Sequence, residues 1–216
     1  MSSKVKLKQD TTSESKVGYK DQQEKENISL WLKKKSFRLA LISAFTALSI
    51  VLGYMLATIP NIEVFTLMIF LSGFIMGKRD GLIIGFMSSF IFTFFNPLGT
   101  SPLPLLTFQL FFYSLTGFLG GQVKNVISKY NFFQPEKDLY ILPVILIFGI
   151  IGGILTTFYD FLSTLVIAIT NFGNMDVFIP YLITGAPFTI IHLIGNVIGF
   201  TFILPGLIQL IYKILS

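Results

Sequence analysis

A short list of ionisable and amide side chains stands out inside otherwise apolar stretches of this 216-residue chain: Gln109, Asp160, His192 and Asn196. Such groups are costly in hydrocarbon and usually face the protein interior or a water-filled cavity. His192 and Asn196 are four residues apart and share one helix face, which Thr189 joins. Tyr159 adjoins Asp160 and points differently. Asn61, Glu63 and Asn96 fall at short breaks between apolar stretches, near Pro97, Gly99, Asn171, Gly173 and Asn174. Loops of this kind make turns and offer amide and backbone hydrogen bonds. Brought together, these residues would line a pocket for a polar, uncharged or weakly charged small molecule. Kept apart, Gln, His and Asn would be hydrogen-bond glue between helices. Their common bias towards one end of the apolar segments favours the pocket.

The same inventory offers little to catalysis. His192 is the single histidine, no Gly-x-Ser-Gly stretch is present, and Ser88, Ser89 and Ser114 look like ordinary small helix residues. An aspartyl dyad needs two paired aspartates, and Asp160 stands alone within the apolar segments. A metal site asks for several His or carboxylate ligands. The absence of cysteine excludes disulfides, cysteine-bound zinc and iron–sulfur ligation. No Gly-x-x-x-x-Gly-Lys-Ser/Thr phosphate loop occurs. The expectation is therefore no catalytic residue, no metal and no cofactor. If the chain moves a solute, a partner must supply the energy.

The elements that position these groups are read from hydropathy. The mean hydropathy is +0.75, and charged residues make up 12% of the chain, where a soluble domain carries roughly 25%. A helix needs ~20 apolar residues to cross ~30 Å of hydrocarbon. On that ruler the expected spans are Phe37 to Thr58, Ile62 to Met76, Gly81 to Phe95, Leu103 to Val123, Leu139 to Thr170 and Ile179 to Leu215. The second and third are short, with Gly77 to Gly81 as a tight turn. Pro187 and Pro205 are expected to bend or break the last span. Asp160 is expected near the outer end of the fifth span. Residues 1–36 form a polar tail, disordered for lack of apolar residues, and 37–216 a transmembrane domain. Every Lys and Arg falls on one side when the spans alternate, which places both termini in the cytoplasm by the positive-inside rule. The basic residues flank apolar spans, so the net charge of +5 points to the lipid bilayer and not to nucleic acid. The fold class is an all-α membrane protein, a six-helix transmembrane bundle.

Small residues add one more feature. Ala40 and Ala44, widened by Ser43 and Ala47, make a strip on the first span that lets another helix approach closely. Gly149, Gly152, Gly153, Gly195 and Gly199 do the same on the last two spans, where internal packing is the simpler use. The Ala40-x-x-x-Ala44 pair, Pro60-Asn61-Ile62-Glu63, the Gly77-Lys78-Arg79-Asp80-Gly81 turn, and Phe95-Asn96-Pro97-Leu98-Gly99 before Pro102-Leu103-Pro104-Leu105 together resemble the substrate-binding S component of an energy-coupling factor (ECF) transporter. The resemblance covers Phe37 to Ser216. It implies a protein of a prokaryotic plasma membrane that binds a vitamin or similar micronutrient at its outer side. The partners it implies are a transmembrane coupling subunit and two cytoplasmic ATPase subunits. On that analogy Ala40 and Ala44, with Ala47, are docking residues. Asn61, Glu63, Asn96, Gln109, Asp160, His192 and Asn196, with Tyr159, are ligand candidates. The alternative is a membrane scaffold or assembly factor whose polar groups serve packing alone.

Overall fold

The computed structural model describes residues 34–96, 99–135, 137–173 and 175–215. Most of the tail expected at 1–36 lies outside the described residues, as do Pro97, Leu98 and Asn174. Among the described residues every regular element is helical. The order is α1 (Lys35–Leu56), α2 (Phe65–Met76), α3 (Lys78–Phe94), α4 (Leu103–Ile127), α5 (Leu142–Phe172), a short 3₁₀ turn (Met175–Val177), α6 (Phe178–Ile198), a π-wound stretch (Gly199–Ile203) and α7 (Leu204–Leu215). Four segments are long and apolar enough to cross a membrane: Lys35–Leu56, Leu103–Ile127, Leu142–Asn171 and Met175–Leu215.

α2 is the hub. Every residue from Phe65 to Ile75 is buried, as expected of a helix that is apolar all round. It packs against α1, α3, α4 and α7. Its 12 residues reach about 18 Å at 1.5 Å per residue. A helix enclosed by protein is free of the length that contact with lipid imposes.

The joint between α2 and α3 is tighter than its sequence implies. Gly77 alone separates the two helices, at φ 98°, and Lys78, Arg79 and Asp80 form the first turn of α3. Glycine takes this backbone angle at no steric cost. Asp80 is buried at the helix N-terminus, where an acid is favoured. Both its carboxylate oxygens face the Arg38 guanidinium, with Nε at 2.6 Å, which ties α1 to α3. Lys124 Nζ donates to the Ile75 carbonyl at 2.9 Å and so satisfies the C-terminus of α2. This end of the bundle thus collects Arg38, Lys78, Arg79 and Lys124.

Pro187 lies within α6 without ending it, contrary to a break there. The irregularity falls instead at Gly199–Ile203, just before Pro205. A proline ring clashes with the carbonyl four residues back, and a wider π turn relieves that clash. Tyr140 Oη donates to the Phe202 carbonyl within this stretch at 2.7 Å.

α4 sits against α2 and α3 with backbones nearly touching. A Cβ on Gly73 or Gly81 would lie 1.8 or 2.3 Å from the Gly117 carbonyl oxygen. One on Gly85 would lie 2.1 Å from the Tyr113 oxygen, and one on Gly120 2.1 Å from the Phe70 oxygen. Small residues permit such approach where dispersion contacts, and not water exclusion, hold helices together. Gly117→Ala should destabilise the fold by about 1–3 kcal/mol through overpacking, read as a lower melting temperature in detergent. Gly185→Ala, with nothing within 4 Å of its Cβ, should not. Equal melting of the two variants would contradict the seam.

Candidate functional site

The loop after α1 places the first acid. It closes through Ile59 N–H to Leu56 O and Ile62 N–H to Ile59 O, with Asn61 left-handed at φ 57°. Asparagine tolerates that conformation better than most residues. Glu63 follows just before α2, and its Oε2 accepts the Thr66 N–H at 2.8 Å. A carboxylate here satisfies an otherwise open first-turn donor and meets the positive end of the helix.

Two further helices bring their polar groups to Glu63. On α5, Thr156, Tyr159 and Asp160 follow the i, i+3, i+4 pattern of one helix side. On α6, His192 and Asn196 share a face, as the spacing predicts. Asn196 Nδ2 donates to Glu63 Oε1 at 3.0 Å and to Thr156 Oγ1 at 2.9 Å. His192 lies between the two acids, with Nδ1 2.9 Å from Asp160 Oδ1 and Nε2 3.5 Å from Glu63 Oε1. A protonated imidazole donates to both carboxylates; a neutral one donates to one. Asn196 and Thr156 are 2% and 1% exposed.

Gln109 joins from α4. Its Nε2 donates to Tyr159 Oη at 2.9 Å, and the Tyr159 ring meets His192 edge to face at 6.2 Å. Tyr159 also packs on Phe112, Tyr113 and Phe108 at 5.1, 5.6 and 5.9 Å. The aromatic run continues through Phe65 and Phe92 to Tyr54 on α1. Two buried oxygens of the cluster, Asp160 Oδ2 and Gln109 Oε1, have no hydrogen-bond partner among the described residues.

The structure therefore joins Glu63, Asp160, His192 and Asn196 directly, and Gln109 and Tyr159 through the tyrosine ring. Asn61 reaches the cluster's edge by its backbone, with its carbonyl oxygen 4.0 Å from a Cβ placed on Gly195. Asn96 lies just past α3, where its carbonyl accepts the Gly99 N–H. Asp160 is not near the outer end of its span: α5 runs about twelve residues, roughly 18 Å, beyond it. Asp160 is nonetheless level with Glu63, because the α5–α6 hairpin overshoots the short loop between α1 and α2. Thr156 escaped the sequence reading, since a threonine within a helix ordinarily bonds its own i−4 carbonyl; Thr156 does so at Gly152 while also accepting from Asn196.

Among the described residues no three His, Cys, Asp or Glu side chains form a group able to hold a metal ion. His192 spends a ring nitrogen on each acid and keeps them apart. On α1, Ala40, Ser43, Ala44 and Ala47 all point out of the bundle. The glycines of α5 serve packing instead: a Cβ on Gly149 or Gly152 would meet Thr201 or Phe200 at 2.6 or 2.8 Å.

No protein-family model, curated protein or solved structure matches the chain.

Asn196→Ala strips Glu63 and Thr156 of a shared donor in a buried setting. It should cost about 1–3 kcal/mol, seen as a lower melting temperature in detergent. An unchanged melting temperature would mean that these two bonds carry no stability.

Proposed function

We propose that this chain is the substrate-specific binding subunit of an ECF-type importer. It captures a vitamin or similar micronutrient at the outer face of a prokaryotic plasma membrane. The observation that carries this reading is the buried polar cluster with Asp160 Oδ2 and Gln109 Oε1 unpartnered. An unpaired buried polar atom is costly, most of all on a charged group such as the Asp160 carboxylate; outside the cluster the hydroxyls of Thr46, Ser88 and Ser89 are also without a partner among the described residues. A small molecule with matching hydrogen bonds would complete the set.

Two features support the rest of the assignment. The cluster lies where Glu63 opens α2, and Arg38, Lys78, Arg79 and Lys124 gather at the opposite end of that helix. By the positive-inside rule the basic end is cytoplasmic and the acid cluster faces outward. The outward strip of Ala40, Ala44 and Ala47 gives a transmembrane coupling subunit a surface for close helix contact. Two cytoplasmic ATPase subunits on that partner would drive transport, and the chain itself would catalyse nothing.

Native mass spectrometry of the purified chain in mild detergent, before and after a panel of B vitamins, tests the binding role. A one-to-one adduct is expected, and it should persist in the Ala40→Trp/Ala44→Trp double variant while cellular uptake is lost. No adduct from folded, monodisperse protein would defeat the reading, and uptake by the double variant would defeat the docking face. Orientation is checked separately, since the chain has no cysteine of its own. A cysteine placed at Asn171 should react with an impermeant maleimide on intact cells, and one at Lys129 only after lysis. The reverse pattern would invert the topology.

A further inference from the structure

The cluster also carries information about its ligand, in an inference that rests on the binding-subunit reading. Its acids outnumber its base. Among the described residues Glu63 and Asp160 form their ion pairs with His192 alone, so the cluster stays acidic whether the imidazole is charged or neutral. Glu63 is fully engaged, with Oε2 on the Thr66 N–H and Oε1 on Asn196 and His192. Asp160 is half engaged: Oδ1 faces His192, and Oδ2 is buried without a donor. Gln109, 9% exposed, gives Nε2 to Tyr159 and leaves Oε1 without a donor. His192 faces the two acids, Asn196 donates to Glu63 and Thr156, and Thr156 donates to the Gly152 carbonyl, so none of these three serves Asp160 Oδ2 or Gln109 Oε1.

What is missing is therefore a donor, and the missing charge is positive. The surroundings of the two open oxygens are aromatic: Gln109 bonds Tyr159, Asp160 follows it in the chain, and Phe112, Tyr113 and Phe108 pack around the Tyr159 ring. Ring faces attract cations, most strongly where water is excluded. We infer that the site takes an organic cation with N–H groups on a flat ring, a protonated amine or amidine. Asp160 Oδ2 is its counter-ion, Gln109 Oε1 accepts a second N–H, and the ring lies against Tyr159. A charge-assisted bond of this kind offsets the cost of burying both ions. A carboxylate or phosphate in the same place would face two acids that, among the described residues, pair with no lysine or arginine.

The test uses matched pairs that share a ring and differ in charge: pyridoxamine against 4-pyridoxate, and tryptamine against indole-3-acetate. Each is added to the purified full chain and read by native mass spectrometry and by thermal shift. At least one amine should bind one-to-one and its matched acid should not. Asp160→Asn should weaken that amine about tenfold or more, as expected for loss of a hydrogen bond to a charged group. Gln109→Leu, which leaves the ion pair with His192 untouched, guards against a folding defect in the first variant and should weaken the amine severalfold. An acid that binds as well as its amine overturns the inference, as does an amine unmoved by both variants. So does retention of a neutral or anionic vitamin by a protein that takes neither amine, although the binding role then survives. No adduct with any compound, vitamins included, removes both.

Discussion

The site depends on one carboxylate. Glu63 stands at the start of α2 and accepts from Thr66 of its own helix and Asn196 of α6, with His192 beside it. Through His192 and Asn196 it reaches Asp160 and Thr156 on α5. Three parts of the chain, spread over 133 positions from Glu63 to Asn196, are thus held at one level. The loop after α1 is fixed by the same contacts, because Glu63 is its last polar residue. An apolar residue at this position would leave the α2 first turn without its acceptor and His192 with a single acid. The first loop, the hub helix and the α5–α6 hairpin share one anchor.

Helix lengths decide where that anchor lies. α2 has 12 residues and α5 has 31, or about 18 and 46 Å at 1.5 Å per residue. The start of α2 therefore meets α5 near its middle. Part-buried Asp160 and buried His192 sit within their own helices and close to the end of another. Polar groups placed this way are shielded by neighbouring helices. α2 tolerates its shortness because it is sheathed by α1, α3, α4 and α7, and α4 comes close enough through Gly117, Gly120 and Gly121 to complete that sheath.

Much of this was legible in the sequence, for definite reasons. Asp160, His192, Asn196 and Gln109 stand out because ionisable and amide groups are rare in apolar helices, and a spacing of four puts His192 and Asn196 on one face. The helix order followed from hydropathy. Glu63 was legible only as a loop acid, since its reach to α6 depends on how far α5 and α6 overshoot, a tertiary fact. The glycine seam had a visible signal in Gly81-x-x-x-Gly85 and Gly117-x-x-x-Gly121, which spacing alone does not pair with a partner helix. Arg38 and Asp80 looked like flanking charges, and only the crossing of α1 over α3 makes them a pair. Pro187 and Pro205 were each expected to bend or break the last span; the π-wound stretch sits before the second, where Tyr140 Oη donates to the Phe202 carbonyl.

The two ends of the hub helix differ in chemistry, and the difference has a physical consequence. At its C-terminus the buried acid is closed: Asp80 is matched by Arg38, and Lys124 finds the Ile75 carbonyl. At its N-terminus the groups are as deeply placed, yet Asp160 Oδ2 and Gln109 Oε1 remain open. Burial makes both kinds of arrangement high-stakes, because the low local dielectric that strengthens a made bond also raises the cost of an unmade one. A scaffold gains nothing by holding that cost at one end and removing it at the other. A binding protein does, since the free energy withheld from the empty state is recovered when a ligand supplies the donors. The contrast between the fully paired Asp80 and the half-engaged Asp160 is thus the feature that separates the two readings most directly.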